Sequence, residues 1–121
     1  MNRFPDSATE EGGSAEGTPA GVEVVLLVEG DSIARDRMRG VLSVNGYQVL
    51  DAHNELEALA LCAEHQGPID LLLADDEMPE LGVRALKLRP RAKVLFTGAA
   101  IDNELLATRV RETLDLPVVS G

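Results

Sequence analysis

From Val22 onward, short apolar runs alternate with longer stretches in which apolar side chains recur every three or four positions. Val22 to Val28 is a β-branched and leucine run that predicts a strand, and Ser32 to Val44 sets Ala34, Met38, Val41 and Leu42 on one helical stripe. Asn45-Gly46 closes that helix, with glycine supplying the left-handed position. Tyr47 to Asp51 predicts a second strand. Asn54 and Glu57 have capping-box spacing and start a helix running to about His65, and Gly67-Pro68 then breaks the chain. Ile69 to Ala74 predicts a third strand and Lys93 to Thr97 a fourth. Between them, Pro79 to Pro90 leaves room for only one or two helical turns. Asp102 to about Thr113 predicts a helix carrying Leu105, Leu106, Val110 and Leu114, and Pro117-Val118-Val119 a fifth strand.

Strands and helices alternating at this spacing imply right-handed crossovers and a parallel sheet covered on both faces. The expected architecture is therefore α/β, a doubly wound five-stranded sheet of order 2-1-3-4-5. A length of 121 residues fits one domain. Residues 1–21 are rich in Glu, Gly, Ser, Thr and Pro and too poor in apolar side chains to offset ordering entropy, so a flexible leader is expected there and a folded unit over 22–121.

Composition narrows the chemistry. Two Phe, one Tyr and no Trp leave the core to Leu, Val, Ile and Ala and remove the stacking platforms of single-strand nucleic-acid readers. A net charge of −10 argues against binding a phosphate backbone. Cys62, the single cysteine, excludes an internal disulfide and a thiolate metal site and is expected to pack in a helix. No apolar run nears the roughly 20 residues of a membrane span and no signal pattern follows Met1, so a cytoplasmic setting is expected. His53 and His65 lack partners at ligand spacing and are expected on the surface. Arg35, Arg37 and Arg39 are expected to form a solvated helix face.

The candidate site lies where Asp70-Leu71-Leu72-Leu73-Ala74 runs into Asp75-Asp76-Glu77-Met78-Pro79, a buried strand ending in three carboxylates. Ligands of open parallel sheets sit outside the carboxyl ends of the strands. The first strand ends Val28-Glu29-Gly30-Asp31 and the fourth Phe96-Thr97-Gly98, so an order of 2-1-3-4-5 gathers Glu29, Asp75 and Thr97 at one edge. Such a cluster suits a divalent cation or a carboxylate nucleophile. Glu29 and Asp31 could equally serve as caps for the helix that follows.

With these pieces in order, the chain from Val22 to Val119 resembles the receiver domains of two-component response regulators, a flavodoxin-like fold. The resemblance rests on Val25-Leu26-Leu27-Val28-Glu29, Gly46-Tyr47-Gln48-Val49, Asp70 to Asp75 with Met78-Pro79, and Val94-Leu95-Phe96-Thr97-Gly98. It implies that Asp75 accepts a phosphoryl group from a histidine kinase or phosphotransfer protein. It implies further that Mg²⁺ binds alongside, held by Glu29, Asp75 and the backbone carbonyl of Glu77, and that Thr97 contacts the phosphoryl group. No enzyme motif is present: there is no Ser-His-Asp set, Gly-rich phosphate loop or Asp-x-Asp phosphatase motif.

Three departures accompany the match. Gly30 stands where the resemblance implies the second of two acids, the direct metal ligand. The chain shows neither the Lys-Pro expected after the fifth strand nor the final helix, so it reads as C-terminally truncated. A second register is open, in which Glu104 to Leu114 is the family's final helix and the fourth helix and fifth strand are lost; Pro117-Val118-Val119 favours the first. In the first register one sheet face lies bare and invites a homodimer or partner domain. Two functions follow: a phosphoacceptor in a phosphorelay, or a degenerate receiver that keeps the fold as a phosphorylation-independent docking module.

Overall fold

The computed structural model describes residues 22–117. The expected leader and the Val118-Val119 part of the expected fifth strand lie outside them. Eight elements alternate: β1 (Val24–Val28), α1 (Ser32–Val44), β2 (Gln48–Ala52), α2 (Glu55–Glu64), β3 (Leu71–Asp75), α3 (Pro79–Leu88), β4 (Lys93–Thr97) and α4 (Asn103–Asp115). The sheet is parallel throughout, in the order β2-β1-β3-β4. The expected order thus holds for its first four strands.

Local chemistry sets the element ends. Asp31 caps α1, its carboxylate accepting from the N–H of Ile33 and Ala34, and Gly46 follows the helix at φ 93°, where a side chain would be strained. The Asn54 side chain accepts from the N–H of Glu57, and the Glu57 carboxylate accepts in return from the N–H of His53. Asp102 caps α4 through the N–H groups of Glu104 and Leu105. The helix after β3 is longer than expected: α3 has ten residues, because Pro79 sits at its first turn and its apolar face, Leu81 and Ala85, finds the sheet.

The pleat divides the core in two. Val24, Leu26, Val28, Leu72 and Ala74 face α2 and α3, packing with Ala58, Cys62, Leu81 and Ala85. Val25, Leu27, Leu71 and Leu73 face the other way, toward Met38 and Leu42 of α1 and Leu106, Val110 and Leu114 of α4. Burial of this α4 stripe corrects the expected register. A helix carrying the chain right-handedly from β4 to a further strand outside it would lie on the α3 face; α4 lies on the α1 face, and a fifth strand beyond it would need the left-handed crossover that proteins avoid in about 98% of cases. Helix α4 therefore occupies the place of a final helix, as in the second register. The face expected to be bare is covered, and a homodimer or partner domain placed over it has no such surface to bury. What stands open among the described residues is the outer edge of β4, where Val94, Leu95 and Phe96 are half-buried.

Candidate functional site

The ladder places Val28 opposite Ala74, and Asp75 opposite Thr97. Glu29 and Asp75 each follow one member of the first pair, so Glu29, Asp75 and Thr97 occupy neighbouring strand tips. Side chains alternate along a strand, and all three continue the row set by Leu27, Leu73 and Leu95, so they share the α1 side of the sheet. The three positions expected to converge are brought together.

Each has a defined setting. Glu29 is only 3% exposed, and its Oε2 accepts from the Asp31 N–H at 3.0 Å. No lysine or arginine pairs with its carboxylate among the described residues. Arg35, on α1, instead donates to the Glu29 backbone carbonyl at 2.7 Å and faces Asp51 at 4.0 Å. Asp75 uses Oδ1 to accept from the Glu77 N–H at 2.9 Å, folding the Asp75 to Met78 turn back on itself, while the Met78 N–H donates to the Asp75 carbonyl. Thr97 is buried, and its hydroxyl donates at 3.3 Å to the neighbouring Gly98 carbonyl, a long bond that a better acceptor can displace.

Whether these residues suit a divalent cation turns on the donors. A carboxylate buried with one N–H partner and no counter-charge is costly, and a hard cation on its oxygens would relieve that cost. Glu29 and the adjacent Asp75 therefore fit such an ion. The set is thin: among the described residues no three His, Cys, Asp or Glu side chains gather as a metal group. Asp31, one residue beyond Gly30, is exposed and caps α1, both cap bonds falling on its Oδ1. Gly30 itself is exposed and has room, since an added Cβ would meet only the His53 carbonyl, at 3.6 Å.

Sequence reasoning missed two arginines. Arg35 holds the Glu29 backbone, and Arg37 donates to the Ala99 carbonyl at 2.7 Å and to the Asn103 side chain, tying α1 to the loop that follows Thr97. Neither is simply part of a solvated face, and the Arg37 contacts, more than sixty residues away in sequence, leave no local signal. His53 is exposed as expected but pairs with Glu57, and His65 is half-buried. Cys62 packs in α2 as expected, and burial pushes its thiol up, with Arg89 opposing in part.

Two acids and a hydroxyl at neighbouring strand tips, at the carboxyl edge of a parallel sheet with helices on both faces, are the arrangement expected of the receiver class, and known proteins point to the same class. No protein-family model matches the chain. It is 35% identical over 57 residues to the polar-differentiation response regulator DivK of Brucella anthropi, a match taking in 47% of this chain and 45% of that protein, so the chain spans less than half the length of that curated relative. The receiver domain of the hybrid histidine kinase CckA superposes with a TM-score of 0.69 at 31% identity, covering 76% of this chain and 99% of that one. A CheY-like receiver domain from Methanospirillum hungatei JF-1 shares the fold with a TM-score of 0.70 at 23% identity, covering 78% and 95%. The chain belongs to the response regulator receiver domain family. Receiver domains are modules of two-component signalling and not typical enzymes. Among the described residues no helix is long and apolar enough to cross a membrane.

Proposed function

We propose that this chain is a phosphoacceptor of a phosphorelay, taking a phosphoryl group onto Asp75 from the phosphohistidine of a histidine kinase or phosphotransfer protein. The observation that supports this reading above others is the Asp75–Thr97 pairing at the end of β3 and β4, with Glu29 at the next tip. The Glu77 N–H engages Oδ1 of Asp75, so Oδ2 is the attacking oxygen; its bond to phosphorus forms as the donor's P–N bond breaks. Glu29, Asp75 and the Glu77 backbone carbonyl are the oxygens that would hold Mg²⁺, which when bound neutralises charge between carboxylate and phosphoryl oxygens. The Thr97 hydroxyl, turning from Gly98, donates to a phosphoryl oxygen and passes the change to the loop anchored by Arg37.

A second reading, the degenerate receiver that docks without phosphorylation, is favoured by one observation: Gly30 stands where an acid is expected beside Glu29, and among the described residues no three acids, histidines or cysteines gather as a metal group. Incubation with Mg²⁺ and acetyl phosphate, followed by intact-mass measurement, separates the two. A phosphate adduct on the wild type, absent from Asp75→Asn, supports the phosphoacceptor. No adduct on a folded wild type selects the docking module.

A further inference from the structure

At the end of the sheet opposite Asp75, the chain's only two lysines and two of its arginines fall within seven residues: Lys87, Arg89, Arg91 and Lys93. Elsewhere Arg35, Arg39, Arg84 and Arg111 each pair with a carboxylate. Lys87, Arg89, Arg91 and Lys93 have no ion pair with a carboxylate among the described residues. Arg89 donates to the Cys62, His65 and Gly67 carbonyls, and Lys93 to the carbonyls of Leu114 and Leu116, so both are bound yet electrically uncompensated. Arg89 and Arg91 line an open groove of about 440 Å³ with an apolar floor that includes Ile69, Leu88, Pro90 and Ala92; Lys87 and Lys93 flank this stretch in sequence, and Asp70 is the one acid of the lining, its carboxylate already accepting from the Val24 N–H. In a chain of net charge −10, this is a concentrated positive end.

We infer that this groove is the docking site of the chain's own acidic leader, residues 1–21, through Asp6, Glu10, Glu11 and Glu16. Those four acids face one cation, Arg3, within the leader, so its charge complements the groove. The point of attachment is also favourable. The described chain begins at Val22, and next to it the Val24 N–H donates to the Asp70 carboxylate at 2.7 Å, while the Asp70 carbonyl accepts from the Lys93 N–H at 3.0 Å. Only β3 separates β1 from β4, a distance of about 10 Å. Glu16, six residues before Val22, reaches roughly 20 Å in extended chain, enough to span it. Tethering supplies an effective concentration on the order of millimolar, so several weak ion pairs suffice where a separate peptide would dissociate. A second copy brings the same excess of negative charge but no tether, and a free polyanion has no tether either. The contact lies away from Asp75 and stands apart from whether that residue is phosphorylated.

The test uses the full chain, ¹⁵N-labelled. Changing Asp6→Asn, Glu10→Gln, Glu11→Gln and Glu16→Gln together shifts the amides of Leu88, Arg89, Arg91 and Ala92 and the Arg91 side-chain Nε, leaving the α1 amides in place. About 0.5 M NaCl moves the wild type toward the variant and leaves the variant unchanged. Conversely, Arg91→Glu, at an exposed residue of the groove lining, shifts the amides of residues 10–16. Groove resonances indifferent to the leader substitutions overturn the inference. So do groove shifts that depend on protein concentration, which assign the groove to a second copy. Groove shifts appearing only on addition of a single-stranded DNA oligomer overturn it as well, by assigning the groove to an external polyanion.

Discussion

The backbone N–H of Asp31 donates to the Glu29 carboxylate while the Asp31 carboxylate caps α1, so one residue steadies the candidate cation ligand and starts the helix beside it. The two roles separate by substitution. Asp31→Ala loses the cap and costs about 1 kcal/mol of stability by urea unfolding, but keeps the N–H to Glu29 and so keeps any Mg²⁺ affinity. A loss of Mg²⁺ affinity in a folded Asp31→Ala would show that the Asp31 carboxylate serves the cation as well as the cap.

Gly30→Asp tests the thinness of the donor set. The position is exposed, its backbone is not left-handed, and the nearest atom to a new Cβ is a carbonyl oxygen at ordinary contact distance. Adding one anionic oxygen beside Glu29 and Asp75 should tighten Mg²⁺ binding on the order of tenfold, since ligand charge count tunes affinity. Isothermal titration calorimetry checks it; unchanged affinity would mean that the cation does not sit at this edge.

The convergence at the strand tips was legible because it follows from local patterns. A leucine run ending in Asp75, a β-branched run ending in Glu29 and a strand ending in Thr97 need only parallel order to meet. The Asn54–Glu57 box and the Asn45-Gly46 stop were readable for the same reason: each acts over four residues or fewer. The side of the sheet on which α4 packs was not. Its stripe of Leu106, Val110 and Leu114 would fit either face, and only its burial against Val25, Leu27, Leu71 and Leu73 decides. Pro117-Val118-Val119 pointed toward a fifth strand by composition alone, which carries no information about crossover handedness. Arg35 and Arg37 were misread for want of any local sign of their distant carbonyl partners.

Placement of α4 has a measurable consequence. Leu106 is fully buried between α1 and the sheet, with Val110 beside it. Leu106→Ala should cost 2 to 5 kcal/mol, roughly the range for a buried leucine whose cavity cannot collapse. Leu105, 43% exposed one position away, provides the control: Leu105→Ala should stay within about 0.5 kcal/mol. Equal effects at both positions in urea unfolding would place the helix elsewhere.

Alkaline pH should weaken the fold through one buried acid, Cys62, and one half-buried acid, Tyr47. Burial raises the Cys62 thiol above its ordinary value, Arg89 opposing in part. Burial also raises the Tyr47 phenol, against the nearby Arg111 guanidinium, which pairs with Glu23 and Asp115. In both cases the unfolded chain loses its proton at lower pH than the folded one. Their contribution to stability is therefore intact below the ordinary thiol and phenol ranges and is lost as pH rises through the folded values. Urea midpoints should hold steady from pH 7 to 8 and fall from about pH 9 upward, as these groups begin to ionise in the unfolded state. The Cys62 share can be isolated by alkylation: iodoacetamide should label the native protein far more slowly than the urea-unfolded chain at pH 8, because the thiol is both buried and held protonated. Rapid labelling of the native protein at that pH would show α2 opening from the sheet.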